Sequence, residues 1–277
     1  MKKFPYPNKV DLKIYSKNSN KLQAYYGLSK EVKFCKKCVI SNQRPNSAVE
    51  FKNNPLEQKK TIIFDQEGIC DACNFAKKKK EIDWLERNKN LEDLCNKFRK
   101  KDGGYDCLVP GSGGKDSFYA SHVLKNKYNM NPLTVTWAPS IYTDWGWRNF
   151  IKWINSGSDN YLLTPNGRVH RLLTRISLEN LLHPFQPFIL GQKTLAAKMA
   201  LLFNIPLIFY GENEAEYGNP ISTTSKPGVK RSLFSTKNNL SDEMFFGGIS
   251  VKDLKDNFGL NKVNFTSYMP ADLKKIE

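Results

Sequence analysis

From residue 105 onward, short apolar runs alternate with helix-patterned stretches, and this alternation constrains the fold more than any other feature of the chain. The spacing predicts a strand at "YDCLV" (105–109), a helix over 116–127 and a strand at "LTVTW" (133–137). A helix over 146–155 and a strand at "NYLL" (160–163) come next, then helices over 171–180 and 193–203 and a strand at "IPLIFYG" (205–211). Buried strands separated by helices predict an α/β domain, a parallel sheet flanked by helices. In such sheets ligands sit beyond the carboxyl ends of the strands, where the strand order reverses. Three segments are expected on that edge: 110–117, 137–140 and 211–218.

The first of these reads "PGSGGKDS". Gly111, Gly113 and Gly114 let the backbone turn tightly and approach a ligand, so that successive N–H groups form a concavity for an anion. Asp116 and Ser117 open the following helix, whose first-turn N–H groups and dipole favour phosphate. Lys115 adds a full positive charge, and Asp116 is placed to cap the helix or help hold Mg2+. Two familiar phosphate loops do not fit. G-x-x-x-x-G-K-[ST] fails because Val109 stands where its first glycine belongs and Asp116 follows Lys115, and G-x-G-x-x-G fails because Asp116 occupies the third glycine position.

Six cysteines fall at 35, 38, 70, 73, 95 and 107. Cys35-Lys36-Lys37-Cys38 and Cys70-Asp71-Ala72-Cys73 are two Cys-X2-Cys knuckles, a set that closes a tetrahedral shell around zinc. Such a shell leaves no position for water, so the expected Zn2+ is structural. The 31 intervening residues exceed the usual spacing of about 15–20 and require a small ribbon, for which "TIIFDQEGIC" offers a strand. Disulfides are disfavoured in a reducing compartment. The stretch 81–101 is helix-patterned, with Ile82, Leu85, Leu91, Leu94 and Phe98 spaced for one buried face and Cys95 expected to pack. The expected organisation is an N-terminal extension (1–30), a small zinc-ribbon-like module (31–80), a helical connector (81–104) and the α/β domain (105–277).

No stretch supplies the roughly 20 apolar residues of a membrane span, and the N-terminus lacks the apolar core of a secretory signal, so a cytoplasmic protein without membrane association is expected. The net charge of +16 is mostly N-terminal, residues 1–100 carrying 20 Lys and 3 Arg against 12 acidic side chains. Only 8 of the 43 basic residues are Arg, the residue whose planar fork reads phosphates and bases, so the charge reads as a solvated surface rather than a nucleic-acid footprint. His122, His170 and His183 have no ligand spacing and read as packing or surface residues.

"SGGKDS" resembles the PP-loop, SGGxDS, of the ATP pyrophosphatases that cleave ATP between its α- and β-phosphates. "VTWAPSIYTDWGWRNFIKWINSGSDNYLLTPNGRVHR", "PFQPFILGQK" and "LIFYGENEAEYGNP", with the cysteine knuckles ahead of them, are similar to the N-acetyl sugar amidotransferases over about residues 33–250. That resemblance implies a PP-loop ATP pyrophosphatase domain and an AMP-forming enzyme. Its activity would convert the acetamido group of a sugar to an acetamidino group in the biosynthesis of bacterial surface glycans (pseudaminic acid, lipopolysaccharide or flagellin sugars). Relative to the family the C-terminal part reads as truncated, with "FFGGISVKDLKDNFGL" expected as a helix and turn.

Carried onto this chain, Gly111, Ser112, Gly113, Gly114 and Ser117 would cradle the departing phosphates of ATP, Lys115 would offset their charge and Asp116 would position Mg2+ or the loop. Trp137 is a candidate wall for adenine or ribose, with core packing as its alternative. Gln192 and Lys193 would face the α-phosphate or the sugar from a helix start. Glu212 and Asn213 would bind substrate and take a proton from the incoming ammonium. No G-x-C-x-G elbow for a class-I glutaminase is present, so ammonia is expected from a separate glutaminase subunit. The rival readings are a tRNA-modifying PP-loop enzyme, disfavoured because no cysteine follows the loop, and a non-catalytic ATP- and zinc-binding module.

Overall fold

The computed structural model describes residues 28, 31–46, 60–212, 228, 235–236, 240–272 and 275. The chain divides into two compact units, one from the described residues of Asn90–Gly211 and Lys230–Glu277, the other from those of Val10–Lys89 and Glu212–Val229.

The first unit is α/β. Strands β1 (Cys107–Pro110), β2 (Pro132–Trp137) and β3 (Asn160–Leu163) form a parallel sheet in the order β1-β2-β3, with Leu108 opposite Leu133 and Val135 opposite Tyr161. Helix α3 (Lys115–Asn126) connects β1 to β2 and α4 (Asp144–Ile154) connects β2 to β3. Helices α5 (Gly167–Leu181) and α6 (Gln186–Leu202) then carry the chain back past β1. There the segment around Ile208 pairs with Leu108: Leu108 N–H donates to Leu207 O and Phe209 N–H donates to Leu108 O, both at 2.9 Å. The expected strand over 205–211 is thus a single parallel bridge.

Both faces of β1 and β2 are covered. Cys107 and Val109 pack with Cys95 of helix α2 (Trp84–Phe98) and with Leu124, Tyr128 and Met130. Burial pushes the Cys107 thiol up to about 12, which suits a core residue and not a nucleophile. The buried side of α2 centres on Cys95 and Leu91, while Leu85, expected on that face, is 85% exposed. Leu133 and Val135 share a strand face with Trp137 by the two-residue period, and α6 packs on β1 and β2.

Residues 240–272 close the far side of α5 and α6. "FFGGIS" is a hairpin of β5 (Phe245–Phe246) and β6 (Ile249–Ser250), turned through Gly247 and Gly248 at positive φ, and only then does α7 (Val251–Phe258) begin. A further pair, β4 (Ser235–Thr236) with β7 (Ala271–Asp272), is parallel. The hairpin is tied down by polar contacts, Gln186 Oε1 accepting from Gly247 N–H at 3.0 Å and Asn180 Nδ2 donating to Gly247 O at 2.9 Å. Helix α8 (Lys262–Phe265) ends against α6, where Lys198 Nζ donates to the carbonyls of Thr266 (2.6 Å) and Ser267 (3.1 Å).

Burial lowers the Lys198 pKa to about 8. The unfolded chain, with lysine near 10.4, therefore holds this proton more tightly than the native state, and stability rises as pH climbs between the two values. Lys198→Met is expected to flatten that rise. Melting temperatures of both proteins across the alkaline range check it, and equal slopes would show that Lys198 titrates normally.

Candidate functional site

The order of pairing, Ile208 segment then β1, β2 and β3, puts the reversal of strand order between β1 and the Ile208 segment. Two pieces of chain frame the crevice at that point: the loop 111–114 at the end of β1, and Gly211 at the end of the Ile208 segment. Gly111 N–H donates to Val135 O at 2.9 Å, so the loop leaves the sheet in register with β2.

Each loop glycine has its own geometric reason. A Cβ on Gly111 would lie 2.2 Å from Ser117 Cβ, and one on Gly113, which is at φ +83°, would lie 2.8 Å from Phe150 Cα and 2.9 Å from Asn149 O of α4. Gly114 has ordinary φ (−65°) and meets nothing within 4 Å, yet as the residue preceding α3 it supplies no capping side chain. The start of α3 is therefore uncapped by any side chain, the arrangement that accepts an anion at a helix N-terminus. Ser112, Gly114, Lys115 and Asp116 line this turn; Gly114, Lys115 and Asp116 are exposed, so the concave side of the loop is open. Lys115 Nζ contacts Asp116 Oδ1 (2.7 Å) and Oδ2 (2.9 Å) in a surface pair of the weakly held kind that a phosphate can displace. Ser117 Oγ donates to Gly114 O at 3.2 Å.

Gly211 carries a role that the sequence pattern alone does not assign. A Cβ there would stand 2.9 Å from Asp116 C and 3.0 Å from Ser117 N, so glycine is what lets the chain leaving the Ile208 bridge pass against the first turn of α3. Its signal in the sequence is a glycine directly after an apolar strand, the same signal that marks Gly111.

Other expected site residues are placed differently. Trp137 is 3% exposed, edge-on to Tyr268 (5.6 Å between ring centroids) and tilted against His170 (6.3 Å). Its six-membered ring fills the space left by Gly191, where a Cβ would come within 2.2 Å. Trp137 is a core residue and offers no wall to a nucleotide. His170 is buried beside it, with Nδ1 3.0 Å from Tyr268 Oη, and burial holds its pKa below the usual range. Gln192 and Lys193 do not start a helix. α6 begins at Gln186, leaving Gln192 exposed and Lys193 half-buried in its interior. Glu212 follows Gly211 and is exposed, and Asn213 lies outside the described residues.

The second unit contains the cysteine cluster. The thiols of Cys35, Cys38, Cys70 and Cys73 all lie within 4.8 Å of one another, with Cys38 Sγ 3.6 Å from Cys70 Sγ. Tetrahedral zinc with bonds of about 2.3 Å holds its sulfurs about 3.8 Å apart, so the set fits a metal such as zinc. No disulfide joins them.

Local structure brings the knuckles together. Asp65 Oδ1 accepts from the N–H groups of Glu67 and Ile69, both at 2.9 Å, and Gly68 takes φ +80°, which turns the chain back into Cys70. Cys70 immediately precedes α1 (Asp71–Lys78), and Cys73 is in its first turn. Cys70 N–H donates to Cys35 Sγ at 3.3 Å across the two knuckles. Burial works to raise the Cys35 pKa, but N–H donors from Cys70, Lys37 and Cys38 outweigh it and bring the value to about 6. Burial with neighbouring thiols drives Cys73 up to about 12.

Among the described residues no helix is long and apolar enough to cross a membrane. No family profile matches the chain. An uncharacterized protein of Methanocaldococcus jannaschii is 36% identical over 85 residues, a stretch covering 28% of this chain and 27% of the relative. The match thus spans about a quarter of that protein's length.

Proposed function

We propose that the chain is an AMP-forming amidotransferase that binds MgATP on the loop 111–117 and exchanges the oxygen of a sugar's acetamido group for nitrogen. The observation that carries the reading is the position of this loop. It stands at the reversal of strand order, open to solvent, with an uncapped helix start and Lys115 beside it. Its match to SGGxDS and the family resemblance around it supply the reaction class.

The chemistry follows from the amide. Lone-pair donation from nitrogen blunts attack at the carbonyl carbon. Transfer of the adenylyl group, through its α-phosphorus, to the amide oxygen, with pyrophosphate leaving, cancels that donation and makes the oxygen a leaving group. Ammonia then forms the new C–N bond, the C–O bond breaks with departure of AMP, and loss of a proton leaves an amidine. Backbone N–H groups of the loop and first turn of α3 would hold the phosphates that leave as pyrophosphate, and Lys115 would exchange its contact with Asp116 for one with them. Mg2+ bound to the phosphates would neutralise charge, with Asp116 the nearest carboxylate on the loop. Ammonia would come from a separate glutaminase, since the buried Cys95 and Cys107 are packing residues and the remaining four cysteines form the metal cluster.

Incubation of the full chain with MgATP, ammonium and a panel of N-acetylated sugars is expected to yield AMP and pyrophosphate, with a sugar product lighter by the difference between O and NH. Lys115→Ala is expected to slow that release. ADP with inorganic phosphate as the true products would overturn the reading.

A further inference from the structure

The outer side of α5 and the turn that follows it present an apolar surface that the nucleotide loop does not use. Leu178 and Leu181, three residues apart near the end of α5, are exposed, and so are Leu182 and Phe185 in the turn before α6. Positions three and four apart share one side of a helix, so the leucines form a stripe. The buried side of the same helix carries Val169, Leu173 and Ile176. The hairpin turn lies beside the stripe, since a Cβ on Gly248 would stand 3.1 Å from Leu181 Cδ2. Phe245, on the strand leading into that turn, points away from its buried neighbour Phe246 and is 51% exposed.

Leu182 is the residue that the fold of one chain does not explain. It closes α5 in the left-handed conformation, φ 52° and ψ 28°, with its N–H donating to Leu178 O at 3.0 Å. Glycine and asparagine take that conformation with least strain, and the other non-glycine residues described at positive φ, Asn129 and Asn204, are asparagines. Leu182 instead joins a strained backbone to a side chain that is 85% exposed. Such a leucine helps neither the helix end nor the solvated surface, and the combination marks an apolar surface that becomes covered.

Charge along the same helix identifies the cover. Arg168, Arg171 and Arg175 are exposed toward the start of α5, and exposed Glu179 stands beyond them toward its end. Arg175 and Glu179 meet within one copy, Nε to Oε1 at 2.6 Å, in a surface pair of the exchangeable kind. A second α5 laid parallel would set like charges side by side. Laid antiparallel about a two-fold axis near Leu178, it sets arginine against glutamate on both sides of the axis with the leucines alongside. That is the self-complementarity an isologous interface requires. The net charge of +16 opposes self-association over most of the chain, so a face carrying both signs is where two copies can meet.

We propose that this side of α5 is a homodimer interface. A second copy of the chain docks antiparallel across Leu178, Leu181, Leu182 and Phe185, and Arg175 of each copy faces Glu179 of the other. None of these side chains belongs to the loop 111–117, so the dimer does not depend on the amidotransferase reading.

Sedimentation velocity of the full chain over a concentration series is expected to show a dimer that dissociates on dilution. Leu182→Asn is expected to weaken the dimer more than about tenfold, since each dimer loses the leucine twice. The melting temperature of the diluted, monomeric variant should not fall, because asparagine suits the left-handed helix end. Arg175→Glu and Glu179→Arg are each expected to favour the monomer, as each sets like charges across the axis. Mixed in equal amounts, the two variants are expected to recover the dimer, since every contact across the axis then joins opposite charges.

The proposal is overturned if the wild type stays monomeric up to about 0.1 mM, or if Leu182→Asn and the single charge reversals leave its dimer unchanged. A mixture of the two charge variants that remains monomeric also overturns it. A wild type that is monomeric alone and associates through these leucines with a glutaminase subunit would give the face to a different protein and remove the dimer.

Discussion

Gly113→Ala is expected to lower AMP-forming turnover more than about a hundredfold, the loss seen when donors aimed at developing charge are misplaced. It is also expected to lower the melting temperature by roughly 10 °C. The added methyl must sit at φ +83° and within 3 Å of the α4 backbone at Asn149 and Phe150. The left-handed conformation costs about 1–2 kcal/mol and overpacking against backbone about 1–3 kcal/mol more. At roughly 2–4 °C per kcal/mol for a domain of this size, the sum is a large shift.

Gly114→Ala is the control that separates fold from function. Its φ is ordinary and no atom lies within 4 Å of the new methyl, so the melting temperature should stay within about 1 °C of wild type. The residue directly precedes α3, so a methyl there is expected to hinder an anion at the helix start and to lower affinity for MgATP. A Gly113→Ala protein that melts and turns over like wild type would remove the loop from both fold and function. A Gly114→Ala protein with unchanged stability and unchanged nucleotide affinity would place the phosphates elsewhere.

The loop is legible in the sequence because its signal is local. Glycines between an apolar strand and a helix need no knowledge of partners, and strand β3 coincides with "NYLL" for the same reason. The helix starts are harder. α5 begins at Gly167 because the Asn166 side chain accepts from Arg168 and Val169 N–H, a cap written in "TPNGRVH" but hidden by the neighbouring proline and glycine. α6 begins at Gln186 with Pro187 in its first turn, where a proline starts a helix instead of breaking it. That displacement is what moves Gln192 and Lys193 from a helix start to a helix interior.

The partners in a long-range contact have no local sign, even where the glycine itself is marked by its place after a strand. Trp137 is buried because Gly191, distant in sequence, leaves room for its ring, and Gly211 matters because Asp116 and Ser117 lie against it.

Zinc removal should produce the largest structural effect. Four thiols gathered within 4.8 Å cannot all ionise near neutrality without a cation, since Cys35 sits at about 6 while burial drives Cys73 to about 12. A divalent ion reverses this by deprotonating its ligands, and the binding energy then becomes folding energy, on the order of 10 kcal/mol for a four-ligand zinc site. Among the described residues, the hydrophobic cluster around the cysteines has Ile62 as its buried apolar member besides Cys35 and Cys70, with partly buried neighbours such as Ile40, Phe64 and Ile69. A core that small holds its fold poorly without a staple.

The full chain is therefore expected to carry one zinc by elemental analysis. Cys70→Ser, which removes a fully buried ligand, should lose it and make the stretches 31–46 and 60–78 sensitive to protease. In the same variant the strands β1 to β3 should retain their hydrogen-exchange protection, because their core at Cys107, Val109 and Leu124 contains none of the four ligands. Mass spectrometry showing the four cysteines as two disulfides, or a chelated protein whose stretches 31–46 and 60–78 resist protease as before, would show that the cluster is held together without a metal.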